Sequence, residues 1–95
     1  MPAYLIADVE VLDQNAYAEY RRQVLPLIQK HGGRFIVRGG QHEVLEGDWQ
    51  PARLVIIEFP DMATLRTWYR SPEYAALIEL RQSASRGSLI AVEGA

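Results

Sequence analysis

The sequence predicts an α+β fold, a four-stranded antiparallel sheet with its helices on one face, in the order β-α-β-β-α-β. Three observations carry that prediction. Four segments alternate apolar and other residues with the two-residue period of a strand. Between the first and second strands, and between the third and fourth, the pattern turns helical, opening on capping residues and closing on glycine. The chain has 95 residues, the length of a single domain spanning all of them. Right-handed crossovers in so short a chain set the first strand beside the third.

Ala3 to Val11 is the first strand. Leu5, Ala7, Val9 and Val11 share one face; Tyr4, Ile6, Asp8 and Glu10 share the other. Asp13 is placed to cap a helix from about Gln14 to Lys30. The apolar stripe of that helix is Tyr17, Tyr20, Val24, Leu27 and Ile28, and Pro26 predicts a kink or a helix in two parts. Gly32-Gly33 ends it, the first glycine in the left-handed conformation. Arg34 to Arg38 is the second strand, with Phe35 and Val37 opposed to Arg34, Ile36 and Arg38. Gly39-Gly40 predicts a bulge or bend, and Glu43 to Glu46 is expected to prolong the strand to a turn at Gly47-Asp48. Arg53 to Phe59 is the third strand, closed by Pro60, with Val55, Ile57 and Phe59 opposed to Leu54, Ile56 and Glu58. Asp61 caps a short helix to about Tyr69. Ser71 caps the next, with Pro72 in its first turn and Glu73 beside the positive end of its dipole. Tyr74, Leu77, Ile78 and Arg81 lie along one side of that helix, and Gly87 is expected to stop it. Ser88 to Glu93 is the fourth strand, with Ile90 and Val92 opposed to Leu89, Ala91 and Glu93.

The helix-facing set is then Leu5, Val9, Phe35, Val37, Val55, Ile57, Phe59, Ile90 and Val92. The second sheet face would carry Tyr4, Ile6, Ile36, Leu54, Ile56 and Leu89, too apolar to leave in water. The economical cover is a second copy of the same sheet. The expected architecture is therefore a ferredoxin-like sandwich that pairs with itself into a dimeric α+β barrel.

Composition excludes several function classes. The formal charge is −2 and no basic run is interleaved with aromatics, so a nucleic-acid partner is not expected. There is no cysteine, hence no disulfide, thiolate nucleophile or Cys-based metal site, which suits the cytoplasm. No apolar run approaches the roughly 18–20 residues of a membrane span, and the first residues lack the pattern of a signal peptide.

Several runs together carry a family resemblance. They are Tyr17-x-x-Tyr20, His31-Gly32-Gly33, Val37-Arg38-Gly39-Gly40, Arg53-Leu54-Val55-Ile56-Ile57-Glu58-Phe59-Pro60, Trp68-Tyr69-Arg70-Ser71-Pro72-Glu73-Tyr74, Arg81 and Val92-Glu93-Gly94. Over nearly the whole chain they resemble the domain of unknown function 1330 family, within the dimeric α+β barrel superfamily. The resemblance implies the fold and the dimer. It implies no reaction, because that superfamily spans cofactor-free monooxygenases, isomerases, dehalogenating or decarboxylating enzymes and haem proteins.

Two groups of residues could carry chemistry. Arg38 and Glu58 fall on the sheet face assigned to the barrel interior, roughly opposite each other, with Asp8 on the same face. An arginine flanked by carboxylates holds an anion or tunes a base; it equally fixes sheet register. The second group is Trp68, Tyr69, Ser71, Tyr74 and Arg81. Arg81 lies two helical turns after Tyr74 on an apolar stripe, so its guanidinium needs a partner: a carboxylate, helical carbonyls, an aromatic face or a ligand anion. Aromatic walls with one fixed cation describe a small-molecule pocket, and Tyr20 is placed to reach it. Ser71 is accounted for by N-capping, and Tyr17 by the core.

His31 is accounted for by a helix C-terminus, and His42 lies in the hairpin; they make no metal site and no axial haem ligand. No cofactor is expected. Pro2, exposed by loss of Met1, would suit a tautomerase base, but the chain length and the Trp-Tyr-x-Ser-Pro run point to the other fold. The leading expectation is a homodimer binding, with or without transforming, a small anionic or aromatic metabolite without a metal. The alternative is an accessory dimer with no catalytic role. Monooxygenase, isomerase and tautomerase activities rank below both.

Overall fold

The computed structural model describes residues 1–95. β1 (Ala3–Val11) is followed by α1 (Gln14–Lys30), β2 (Arg34–Arg38), β3 (Leu54–Phe59), α2 (Met62–Tyr69), α3 (Pro72–Ala84) and β4 (Ser85–Glu93). The strands form one antiparallel sheet in the order β2-β3-β1-β4, the ferredoxin-like arrangement, with the helices over one face. On that face Leu5, Ala7, Val9, Val55, Ile57 and Phe59 bury against Tyr17, Tyr20, Val24 and Ile28 of α1 and Trp68, Tyr74 and Leu77 of α2 and α3.

Local chemistry accounts for most element ends. The Asp13, Asp61 and Ser71 side chains accept from the backbone N–H of Ala16, Thr64 and Tyr74, each satisfying one of the orphan donors of a first helical turn. α1 closes with Gly32 at φ 77°. The Gly32 N–H donates to the Gln29 carbonyl at 3.0 Å and the Gly33 N–H to that of Ile28 at 2.9 Å, a Schellman motif.

Five expectations are corrected. First, α1 is a single helix, not two parts. Pro26 and Arg22 are both exposed, so the Arg22 carbonyl that loses its donor is left to water. Second, no strand forms over Glu43–Glu46, and residues 39–53 are irregular. Third, the β2 bulge sits at Ile36, not at Gly39-Gly40: Phe35 opposes Ile57, but Val37 opposes Ile56 and Arg38 opposes Val55. One extra residue reverses the alternation beyond it. Val37 therefore joins the open face and Arg38 the helix side. Fourth, α3 ends at Ala84, where Ser85 turns extended and its hydroxyl donates to the Arg81 carbonyl at 2.7 Å. Gly87 lies inside β4 opposite Val9, where an added Cβ would strike the Asp8 carbonyl oxygen. Fifth, β4 runs in the opposite phase. Leu89 and Ala91 pair with Ala7 and Leu5 on the helix side, and Ile90 and Val92 pair with Ile6 and Tyr4 on the open face.

Candidate functional site

α1 and α3 lie side by side across the sheet and aim their polar-tipped residues at the same point. Tyr17 and Tyr20 stand three residues apart on the buried side of α1; Tyr74 and Arg81 stand two turns apart on the buried side of α3. The Tyr20 and Tyr74 hydroxyls meet at 2.8 Å, and Arg81 Nη1 donates to the Tyr74 hydroxyl at 3.4 Å. All three are buried, Arg81 at only 7% exposure. No carboxylate pairs with Arg81. Burial pushes both phenols up from their ordinary range. The neighbouring Tyr74 adds to the rise at Tyr20. At Tyr74 the hydrogen bond from Tyr20 and the charge of Arg81 oppose it.

Around this trio lies a cleft between helices and sheet, with an interior volume of ≈ 40 Å³. Leu5, Val9, Val55, Ile57 and Leu89 form apolar walls, and Arg21, Arg38 and Arg53 line it with Arg81. None of its lining residues is Asp, Glu, His, Cys or Lys. Arg21 and Arg38 are exposed and Arg53 half-buried, so these three mark the mouth. The guanidinium carbons of Arg21 and Arg53 stand 5.8 and 5.9 Å from the Tyr17 ring centre, and that of Arg38 stands 4.1 Å from Phe35.

The residues singled out from sequence therefore separate. Tyr20, Tyr74, Arg81 and Arg38 come together in the cleft. Trp68 does not reach it: fully buried, it stacks on Tyr74 at 4.2 Å and Phe59 at 5.2 Å and backs the Tyr74 ring from behind. Tyr69 is 37% exposed and lines a separate groove of ≈ 340 Å³ between α2 and β4. The Ser71 hydroxyl is spent locally, donating to the Trp68 carbonyl at 2.8 Å and accepting from the Tyr74 N–H at 3.2 Å.

The expected Arg38–Glu58 pair does not form. The bulge turns Arg38 to the other side, and Glu58 instead binds Arg34 Nε at 2.8 Å. Asp8 pairs with no arginine. It accepts from the Trp49 indole and the Ala52 N–H, both at 2.9 Å, anchoring the segment before β3. The Trp49 bond holds its carboxyl below the usual range. His31 Nδ1 sits 3.0 Å from the Leu27 carbonyl, the C-terminal position expected. No three His, Cys, Asp or Glu side chains gather anywhere in the chain.

Sequence reasoning missed Arg21 and Arg53. Arg21 follows Tyr17 by four residues, at the edge of the buried stripe. Arg53 precedes Val55 by two, in the helix-facing phase of β3. Both signals are positional and were available.

The sequence matches the family described as "Domain of unknown function (DUF1330)" over residues 2–95, and the chain belongs to that family. A search of curated proteins gives no match. Among solved structures, a protein of unknown function from Rhodopseudomonas palustris is 24% identical, with a TM-score of 0.80 over 99% of this chain and 82% of that one. A dimeric ferredoxin-like protein of unknown function from Jannaschia sp. CCS1 is 13% identical, with a TM-score of 0.72 over 99% of this chain and 100% of that one. A cofactor-independent oxygenase from Streptomyces nogalater is 11% identical, with a TM-score of 0.57 over 99% of this chain and 93% of that one. These likenesses establish the fold. No helix is long and apolar enough to cross a membrane.

Proposed function

We propose that this protein binds a small organic anion, an acid with an aromatic or acyl body, in the cleft between α1, α3 and the sheet, and that it does so as a homodimer. The observation that carries the first part is Arg81. A buried ion costs several kcal/mol of lost hydration unless something compensates it. One hydrogen bond at 3.4 Å to a neutral phenol is its protein partner, and its guanidinium borders both the cleft and the groove at Ser85 and Leu89. A ligand carboxylate would complete it, accepting from the guanidinium fork and from the Tyr74 hydroxyl, whose proton the Tyr20 bond leaves free, while its apolar body lies against Leu5, Val9, Val55 and Ile57. The cleft's polar side chains are tyrosines and arginines, hydrogen-bond donors with no carboxylate, histidine or lysine among them, which supports the binding of an anion. The interior of ≈ 40 Å³ has room for about two or three waters, so an acid seats by swinging Arg21, Arg38 and Arg53 outward.

Thermal-shift measurement against a panel of small monocarboxylic acids tests this. The wild type is expected to rise by several degrees with at least one acid, and Arg81→Met, checked for fold by circular dichroism, to show no rise. A rise that survives in Arg81→Met places the site elsewhere. The narrow interior favours one rival, an accessory dimer whose arginines serve packing alone; it predicts that no acid moves the melting temperature.

The second part rests on the open sheet face, where Ile36, Ile90 and Val92 are 44%, 61% and 43% exposed beside the half-buried Tyr4, Ile6, Val37, Leu54 and Ile56. A contiguous apolar face of this kind marks an interface. A second copy is the proposed occupant, because a two-fold pairing would cover one apolar sheet face with its twin and a similar fold is described as dimeric.

A further inference from the structure

Resting on that anion site, we infer that the ligand carries a second anionic group, separated by a short apolar spacer from the one on Arg81. The chain as a whole is acidic, at −2, yet its cleft is lined by four arginines and no acid. Four acids pair with other cations, Glu19 with Arg22, Glu73 with Lys30, Glu58 with Arg34 and Glu10 with Arg86, and no acid pairs with a cleft arginine. Arg21, Arg38 and Arg53 are left without ion pairs. Two of them flank the same Tyr17 ring at 5.8 and 5.9 Å, and the third lies on Phe35 at 4.1 Å. Each aromatic face is a weak partner at such exposure, while the cations repel one another. An anion at the mouth would satisfy all three.

The sheet register gives the spacing. Arg38 on β2 opposes Val55, Val55 opposes Ala7, and Ala7 opposes Leu89 on β4. Arg81 lies at the β4 side, bordering a groove with Val9, Ser85 and Leu89. Three strand spacings put the two sides roughly 14 Å apart at the backbone, and guanidinium groups reach inward from both. What remains suits a spacer of a few carbons. The fitting class is a short diacid with one carboxylate on Arg81 and one among Arg38, Arg53 and Arg21.

Calorimetric titration at low ionic strength, where exposed charges are least screened, tests this with straight-chain diacids of four to eight carbons against monoacids of equal length. At least one diacid is expected to bind tenfold or more tighter than its monoacid. In the Arg38→Ala/Arg53→Ala protein that ratio falls to about one. Neither residue is in the core, so the double variant is expected to fold, which circular dichroism verifies. If monoacids bind and no diacid binds tighter, the second anionic group is overturned; if the ratio persists in the double variant, its seat on Arg38 and Arg53 is overturned; in both cases the Arg81 site stands. If no acid binds at all, both fall.

Discussion

At the scale of single residues, the fold leaves some charges without an ionic partner and engages others locally. Arg81 is a buried cation with no acid beside it. Arg81→Met keeps most of the buried stem and removes the charge. The expected result is a protein about 1 kcal/mol more stable in urea unfolding, because the desolvation penalty goes with the guanidinium. In a chain of this size that raises the melting temperature by about 4–8 °C. A loss of several kcal/mol would instead mark Arg81 as one half of a structural pair. Asp8 behaves differently. Its carboxyl is held below the usual range by the Trp49 indole, with the Ala52 and Arg53 N–H groups adding to the effect. A depressed carboxylate stabilises the fold above its unfolded pKa of about 3.9 and loses that contribution as pH falls through the folded value. Trp49 emission is therefore expected to shift in acid below about pH 4 and to be already shifted at neutral pH in Asp8→Asn. Emission that stays flat in both cases would mean that Asp8 does not hold the segment.

At the scale of elements, two substitutions test why the segments end where they do. Gly87 permits the close approach of β4 to Asp8, so Gly87→Ala is expected to cost about 1–3 kcal/mol in denaturant unfolding. If Gly87 served merely to end α3, the cost would be near zero, since that helix already ends at Ala84. Pro26 interrupts the hydrogen bonding of α1 on its wet side, and Pro26→Ala is expected to stabilise by about 1–3 kcal/mol, read from the same unfolding curves. The element order and every helix N-cap were legible because each carries a local signal: Asp13, Asp61 and Ser71 before an apolar period. The phase of β4 was not. Leu89, Ile90, Ala91 and Val92 are apolar on both faces, so alternation gives no direction and only pairing with β1 decides it. The side of Arg38 was lost for a related reason: a single bulged residue, Ile36, reverses the strand and has no sequence signature of its own. Half of the site was thus readable as a demand, since Arg81 on an apolar stripe must have a partner. Of the mouth arginines, Arg21 and Arg53 held readable positions, and only the side of Arg38 waited on a register that the chain sets on folding.

At the scale of the whole molecule, the chain is a slab 36 × 34 × 17 Å across, with helices on one broad side and the bare sheet on the other. Covering the bare side with a second copy predicts a particle of twice the 10.8 kDa chain mass by sedimentation equilibrium. Ile90→Glu, on the open face at 61% exposure, is expected to yield monomers at micromolar concentration. A monomeric wild type would contradict the pairing. The cleft lies on the opposite side of the sheet from that interface, so the two claims separate experimentally, whereas the sequence alone had placed Asp8, Arg38 and Glu58 on one shared face. The most direct measurement follows the arginine Nε–Hε resonances by NMR during titration with a straight-chain carboxylic acid of six carbons. The Arg81 signal, identified by its absence from Arg81→Met, is predicted to move saturably with added acid. An Arg81 signal that stays fixed while the exposed arginines drift without saturation would contradict the account.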